Sequence, residues 1–251
     1  TNVSNGITFT DSSDLTMAGT STATGNLALS SPLGINQTGG SVLVSGNSTL
    51  TSPGSNIIMN SATNNFTGTV AATGASITLR DTNAIKLGPI TASGTLGITA
   101  GGIISQSDIL TVTGATTLSA PIVGGDISLG LANALNGGVT FTGAAVVLND
   151  AGSLNLNGPC LGTGNATISA TGALTDSAGL ISIVAGAMAG YALARIGRIG
   201  VLCPHRERGE REDDGEETED GGMSEVEPGR QGVVADVGVV GRERLPGLED
   251  V

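Results

Sequence analysis

Aromatic residues are almost missing from this chain of 251 residues. They make up 2% of the sequence, with no Trp, one Tyr and three Phe. Because aromatic side chains usually supply much of the area of a protein core, an ordinary compact core would be hard to fill. The chain is nevertheless 39% hydrophobic, which separates it from disordered sequences. The composition therefore favours a narrow core of small and aliphatic side chains, as in stacked coils.

Positive charge is also scarce. The formal net charge is -12, and the only cations in residues 1–185 are Arg80 and Lys86. Because a phosphate-binding surface needs a basic patch, nucleic acid is excluded as a predicted partner. The two cysteines, Cys160 and Cys203, are too few for a disulfide framework. The chain begins with Thr and shows no secretory signal, so we interpret it as a fragment of a longer product.

A repeat of about 69 residues runs through the first three quarters of the chain. One motif reads GITFTDSSDLTM from Gly6, SITLRDTNAIKL from Ser76 and AVVLNDAGSLNL from Ala145. We divide the region into a partial copy at about 1–63 and copies at about 64–132 and 133–183. Repetition at a fixed period is typical of a solenoid.

The repeat region reads as short strands. Apolar residues recur two apart, as in Ile77-Thr78-Leu79 and Val146-Val147-Leu148, and Gly, Asn, Asp and Ser lie between the runs. Period-two alternation predicts strands with one face inward, and the intervening residues predict turns. No helical pattern separates the strands, so the sequence predicts an all-β fold.

An antiparallel sandwich and a parallel β-helix both fit this strand spacing, and the repeat favours the β-helix. Stacked coils would place equivalent residues of successive copies in register. The predicted core ladders are Leu29/Ile98/Ile168, Ile35/Ile104/Leu174, Phe9/Leu79/Leu148 and Met17/Leu87/Leu156. The simplest division of the repeat is three coils of about 23 residues with three strands each. The spacing of Gly74, Gly94 and Gly114 indicates about 20 residues per coil locally, so the coil count stays open.

The run NNFTGTVAATGASITLRDTNAIKLG and the segment SGTLGITAGGIISQSDILTVTGATTLSA carry a family resemblance. They resemble the repeat region of filamentous-haemagglutinin-type adhesins, large exoproteins exported by two-partner secretion. The resemblance implies a right-handed parallel β-helix over about residues 1–183. It also implies a location outside a Gram-negative cell, or on its surface, and an outer-membrane two-partner secretion transporter as a partner.

Residues 184–251 differ sharply from the repeat region. They contain no Asn and no Lys and are rich in Arg, Gly, Glu and Asp. The uncharged segment 178–194 suggests a membrane helix but is shorter than the roughly 20 apolar residues that a span needs. The acidic run 207–220 is typical of a solvated disordered segment. We expect an irregular or disordered tail, and we favour a frameshift origin over either functional interpretation.

Three acids recur at the same place in the three copies: Asp11, Asp81 and Asp150. They suggest a catalytic or calcium-binding acid, or an Asp turn at a coil corner, which we favour. If each copy were three coils, the carboxylates would lie about 14 Å apart, too far for a glycosidase pair. A carbohydrate-cleaving β-helix enzyme remains the enzyme alternative, with Arg80 beside Asp81. We expect that pair to be salt-bridged or solvated.

The sequence contains few other residues that could form a metal or binding site. The single histidine, His205, stands near Cys203, but two ligands are short of a zinc site. Thr-x-Thr at Thr8, Thr111 and Thr140 raises an ice-binding solenoid as an alternative, but the three motifs look scattered. We therefore expect no catalytic, cofactor-binding or metal-binding residue and no cofactor.

The predicted function is a stalk or adhesive segment that contacts glycans or proteins of cell surfaces. An autotransporter-like passenger is a further alternative of the same surface-exposed kind. Because the ends of the repeat region would expose open coil edges, the sequence also predicts end-to-end self-association.

Overall fold

The computed structural model describes residues 2–3, 6–121, 124–177, 181–183, 188–191 and 199–200. Side-chain surroundings are described for 6–121 and 124–177. The chain divides into two compact units, Thr1–Arg206 and Glu207–Val251. The second unit, and with it most of the predicted tail, lies outside the described residues, as do His205 and Cys203.

Short strands follow one another through the described residues, with no helix among them. They are β1 (Asn2–Val3), β2 (Ile7–Thr10), β3 (Leu15–Met17), β4 (Ser21–Ala23), β5 (Leu27–Ser30), β6 (Ile35–Gln37), β7 (Val42–Val44), β8 (Ser48–Ser52), β9 (Ile57–Met59), β10 (Asn65–Phe66), β11 (Thr69–Gly74), β12 (Ile77–Asp81), β13 (Ile85–Ala92), β14 (Leu96–Ala100), β15 (Ile104–Gln106), β16 (Leu110–Val112), β17 (Thr116–Ser119), β18 (Ile127–Leu135), β19 (Gly138–Gly143), β20 (Val146–Asp150), β21 (Leu154–Gly162), β22 (Ala166–Ala170), β23 (Leu174–Asp176), β24 (Ile181–Ile183), β25 (Met188–Tyr191) and β26 (Ile199–Gly200).

The strands form three parallel sheets wound into one solenoid of about eight coils. Sheet 1 has the order β1-β4-β7-β10. Sheet 2 runs from β2 through β5, β8, β11, β13, β15 with β16, β18, β20 and β22 to β25. Sheet 3 runs from β3 through β6, β9, β12, β14, β17, β19, β21 and β24 to β26, with β23 beside β21. The predicted all-β fold and parallel β-helix are confirmed.

Most coils contain fewer residues than the roughly 23 expected if each repeat formed three coils. Leu15 pairs with Ile35 and Leu96 pairs with Thr116, so one coil takes about 20 residues at both places. The division of each repeat into three longer coils is therefore wrong, and the shorter local spacing is correct. One repeat then covers three and a half coils.

The half coil explains why the predicted ladders do not form. Leu29 lies in sheet 2 and pairs with Phe9 and Leu50. Its sequence equivalent Ile98 lies in sheet 3, where it pairs with Leu79 and Leu118. Equivalent residues of consecutive copies therefore lie on opposite sheets, and each core column takes its residues from successive coils instead.

Each coil has a short side and a long side. A short side is one unbroken strand, such as β5 or β14, and a long side is two strand segments, such as β6 with β7, or one bulged strand, such as β13. Counted from the motif that starts near Gly6 and recurs at Ser76, one copy runs from β2 to β11. It contains seven sides and both begins and ends on a short one. Because seven is odd, the next copy starts with short β12 on the opposite sheet.

Coils at the junction of two copies are the smallest. Fewer residues separate Val70 from its partner Leu87 than separate Thr116 from its partner Val139. The difference arises because two short sides, β11 and β12, meet at the junction. We name this place the copy junction; β19 and β20 form the second one.

Glycines allow the backbones of neighbouring coils to approach at the corners. A Cβ on Gly68 would lie 2.3 Å from the carbonyl oxygen of Gly46, and one on Gly137 would lie 2.3 Å from backbone atoms of Gly114. Contacts this short are impossible for a side chain, so these corners require glycine. This close stacking accounts for part of the high glycine content.

The described part of residues 178–194 belongs to strands. β24 pairs with β21, and β25 pairs with β22. No helix of the described residues is long and apolar enough to cross a membrane. The suggestion of a membrane helix is therefore wrong for Ile181–Ile183 and Met188–Tyr191, and its remaining residues lie outside the described ones.

Thr116 provides a test of the core. Its Oγ1 is buried without a hydrogen-bond partner in a column with Leu96 and Val139. Since a buried unsatisfied hydroxyl costs about 1–3 kcal/mol, Thr116→Val should raise the free energy of unfolding by about 1 kcal/mol. Urea denaturation followed by circular dichroism measures the change.

The neighbouring residue gives the matched control. Thr117 is exposed on the outer side of the same strand, so Thr117→Val should leave the free energy of unfolding within about 0.5 kcal/mol. A Thr116→Val protein less stable than the parent would show that the hydroxyl has a stabilising partner.

Candidate functional site

Asp81 and Asp150 occupy the two copy junctions as buried backbone acceptors. Asp81 accepts the Phe66 N–H at 2.7 Å and the Asn83 N–H at 2.7 Å. Asp150 accepts the Leu135 N–H at 2.7 Å and the Gly152 N–H at 2.7 Å. The bonds to Asn83 and Gly152, two positions further along the chain, are the expected Asp turns.

The longer-range bond has a structural cause. Phe66 pairs with Val44 in the preceding coil, but the next coil presents a short side at the junction. The Phe66 N–H would then lie buried without a strand acceptor, and the Asp81 carboxylate supplies one. An Asp therefore recurs in the repeat because a backbone N–H at the end of a long side needs a hydrogen-bond acceptor.

Asp11 differs from its two equivalents. It is half-exposed and its Oδ1 accepts hydrogen bonds from the Ser13 N–H at 2.9 Å and the Ser13 hydroxyl at 2.7 Å. These bonds lower its pKa below the ordinary value of 3.8. The pKa of Asp81 is raised instead, because burial disfavours the carboxylate more than its N–H donors favour it.

The expected spacing of about 14 Å between these acids is wrong, because the copies do not stack in register. Asp81 ends a strand of sheet 3, whereas Asp11 and Asp150 lie at strands of sheet 2. The latter two are seven strand steps apart, roughly 34 Å at about 4.8 Å per step. Asp11 and Asp150 therefore lie much too far apart for a glycosidase carboxylate pair.

Arg80 and Asp81 point to opposite sides of β12. Arg80 is on the outer side and half-buried, whereas Asp81 is buried. The Asp81 carboxylate is directed to backbone donors, so the salt bridge considered from the sequence does not form. Among the described residues, no three His, Cys, Asp or Glu side chains come together as a metal site.

Two Asn–Gln amide pairs, each with a buried Asn and a half-buried Gln, escaped the sequence interpretation. Asn64 and Gln37 exchange hydrogen bonds at 2.8 Å in both directions, and Asn64 also accepts the Val42 N–H at 2.8 Å. Asn133 and Gln106 repeat the arrangement at 2.9 and 3.1 Å. Both pairs bridge successive coils on a long side. The second pair stands one repeat after the first in the sequence, and that recurrence was the signal that could have revealed them.

The outer face of sheet 2 carries an unbroken column of hydroxyl side chains, which we call the hydroxyl ladder. Its members follow one another by direct strand pairing: Thr10, Ser30, Thr51, Thr73, Thr91 and Thr111. Successive members lie about 4.8 Å apart. The Thr-x-Thr motifs themselves are far apart, as expected, because Thr10 of the motif at Thr8 and Thr111 lie at the two ends of this ladder. Thr140 lies on sheet 3 instead.

A shallow polar cavity of about 360 Å³ lies on the outer side of sheet 3. Asp14, Asn36 and Asn56 line it together with the exposed Leu33. It offers a single carboxylate and neutral amides, so its chemistry fits neutral polar groups. Calcium would need six to eight oxygens around one point.

Two consecutive segments of the chain, residues 4–73 and 74–142, match the family model described as repeats of unknown function (DUF5649). Their boundary falls at the end of β11, where the first copy junction lies. No curated protein and no solved structure matches the chain.

The raised pKa of Asp81 predicts a pH dependence. Its folded pKa exceeds the unfolded value, so the folded state binds the proton more tightly, and stability falls as pH rises from about 3.8 through the raised value. Asp81→Asn does not titrate and should remove that decline. Urea midpoints between pH 3 and 6 measure it.

Asp11→Asn is the matched control with the opposite sign. The lowered pKa of Asp11 means that the carboxylate stabilises the parent as pH rises through that pKa, and that this stabilisation is lost as pH falls. Asp11→Asn does not titrate there, so its stability should rise less with pH than that of the parent. Parallel profiles for the parent and Asp81→Asn would contradict the assignment.

Cys160 should be chemically inert in the folded chain. Its thiol is buried and donates to the Val139 carbonyl, and burial raises its pKa to about 11. In a Cys203→Ser background at pH 8, a disulfide reagent should modify it roughly 100-fold more slowly than in urea. Equal rates in the two conditions would show that the solenoid opens at β21.

Proposed function

Because the chain belongs to the family of repeats of unknown function (DUF5649), we propose that it is a non-catalytic structural segment of a large bacterial exoprotein, secreted or held at the cell surface. The unit of that family is here a solenoid section of seven sides that continues directly into the next section. A solenoid of this kind lengthens by adding repeats, so it can hold an attached binding region at a distance from the cell. The resemblance to filamentous-haemagglutinin-type adhesins supports the same role and implies export through a two-partner secretion transporter.

The hydroxyl ladder is the observation that carries an adhesive role. It presents six neutral donors and acceptors in one line on the outer face of sheet 2. Glycans carry hydroxyl groups at comparable intervals along a chain. Many weak contacts of this kind add up to useful avidity without a pocket. Cell-surface glycans, or proteins that carry them, are therefore the proposed partners.

The burial of two of the recurring acids supports a role without catalysis. Asp81 and Asp150 are buried and each accepts two backbone N–H bonds, so their carboxylates serve the fold. A polysaccharide-cleaving enzyme would need acids that face a groove.

The test compares two variants of the full chain that each lose four outer hydroxyl groups. One changes Thr51, Thr73, Thr91 and Thr111 to Ala on sheet 2. The control changes Thr78, Thr99, Ser119 and Thr142 to Ala on sheet 3. On a glycan array and on fixed mammalian cells, the first should lose about tenfold or more in avidity and the control should stay within about twofold.

Two results would count against the proposal. Equal binding by both variants would remove the ladder as the contact surface. Release of reducing ends from any bound polysaccharide by the parent, abolished in Asp81→Asn without loss of folding, would establish an enzyme.

Ice binding is the second candidate that the ladder favours, because a flat regular array of Thr is what such a surface needs. The neighbouring column is less regular, since Ala28 and Ala71 alternate with Thr8 and Thr49. Thermal hysteresis measured on the same two variants separates ice binding from glycan binding.

A further inference from the structure

The polar cavity on the outer side of sheet 3 has a floor that only glycine allows. Asp14, Gly34 and Asn56 precede β3, β6 and β9 and are stacked in register. Gly34 has a φ of 140°, and a Cβ on it would lie 2.8 Å from Oδ1 of Asp14. A side chain at this position would therefore fill the space between the two polar neighbours. We call this space the Gly34 cavity.

The Gly34 cavity has the size of a small ligand site. Asp14 and Asn56 stand on either side of it, two coil steps of about 4.8 Å apart. Its volume of about 360 Å³ is at the lower end of the roughly 300–1,000 Å³ that is usual for ligand cavities. It opens sideways on the outer side of the sheet, so stacking along the solenoid axis leaves it accessible.

Polar groups of the Gly34 cavity keep unused hydrogen-bonding capacity. Asn26, Asn47 and Asn56 each use the side-chain oxygen to accept a backbone N–H of the next coil, at 2.9, 2.9 and 3.2 Å. By contrast, the Asp14 carboxylate and the half-buried Asn36 amide make no hydrogen bond or ion pair within the described part of the chain. These two side chains therefore serve no backbone in the fold and can bind a ligand.

Two exposed apolar side chains border the same cavity. Leu33 is 63% exposed and Ile58 is 38% exposed. A site that combines apolar surface with a few placed polar groups is typical of small-molecule binding. A pyranose ring matches this combination, because it presents C–H groups on its faces and hydroxyl groups around its edge.

The cavity is a local feature and not a by-product of the repeat. In the second copy, Ala84 stands at the position of Asp14 and Ile103 at the position of Gly34. Ile103 brings a large side chain to the place where glycine leaves the space open. The second copy therefore lacks both the carboxylate and the floor of the cavity.

We propose that the Gly34 cavity binds one neutral hexopyranose unit of a glycan. The Asp14 carboxylate accepts hydrogen bonds from sugar hydroxyl groups, and the amide groups of Asn36 and Asn56 donate to others. The C–H face of the ring packs on Leu33 or Ile58. The inference rests on the proposed binding of glycans, but it assigns a separate site on sheet 3, whereas the hydroxyl ladder lies on sheet 2.

The charge of the cavity sets the class of sugar. Asp14 supplies the only charge of the lining, and neither Arg80 nor Lys86 belongs to it. A sugar carboxylate would be repelled by Asp14 without a cation to offset it. The site therefore selects neutral sugars against uronic and sialic acids.

The test uses the full chain and saturation-transfer NMR with the methyl glycosides of glucose, galactose, mannose and N-acetylglucosamine. At least one of these neutral probes should bind the parent saturably, and glucuronic acid should not. Asp14→Ala should weaken the binding about tenfold, because a charge-assisted hydrogen bond is lost. Asn36→Ala should weaken it severalfold, because a neutral hydrogen bond contributes less.

Asp108→Ala is the matched control. Asp108 is also an exposed acid but lies between β15 and β16, away from the cavity lining, so this variant should bind the probe as the parent does. The four-Ala variant of the hydroxyl ladder should bind the probe normally as well. Thermal unfolding of each variant establishes that it is folded.

The outcomes separate this site from the proposed role of the ladder. The inference is overturned if no neutral probe binds the parent, if glucuronic acid binds equally well, or if Asp14→Ala binds the probe normally. Loss of probe binding in the ladder variant alone would place the sugar on sheet 2, which overturns the cavity site and leaves the proposed function standing. Loss in Asp14→Ala, with the ladder variant unchanged on the glycan array, supports the cavity site and removes the ladder.

Discussion

Each backbone N–H of a coil must find an acceptor in a neighbouring coil, and the rest of the structure depends on this requirement. Parallel stacking at about 4.8 Å satisfies it along sheets 2 and 3, since pairing continues without reversal from β2 and β3 to the last described strands. Fixed spacing also places side chains in columns, which is why small and aliphatic residues suffice for a core with few aromatics. At corners such as Gly68 the same close approach leaves no room for a Cβ.

The copy junction is where regular stacking fails and side chains complete it. A long side ends at Phe66 without a strand above it, and the Asp81 carboxylate takes over as acceptor. On the long sides, Asn64 and Asn133 perform a related task, each accepting a backbone N–H while exchanging bonds with a Gln of the preceding coil. The buried Asp and Asn side chains of the described solenoid are therefore acceptors for the backbone, as a sheet with changing strand length requires.

The sequence was sufficient to predict the strands, their parallel stacking and the turn role of the acids. Ile77-Thr78-Leu79 shows why, because alternation within one strand is a local property. The pairing of Leu29 could not be predicted in the same way, since the period of the repeat fits three coils as well as three and a half. The hydroxyl ladder was missed for the same reason. Thr51, Thr73 and Thr91 are unequal distances apart in sequence and meet only when coils of unequal length stack.

By itself the sequence determined that about residues 1–183 are a repetitive, aliphatic and nearly cation-free parallel solenoid, because period, alternation and composition are written in one dimension. Only the tertiary structure decided which residues share a face. An odd number of sides in each copy turns the repeat by half a coil, so Asp11 and Asp81 lie on opposite sheets although their sequences align. The tertiary structure also decided that Leu79 is fully buried, because it lies between Met59 and Ile98 of the two neighbouring coils and burial depends on those neighbours.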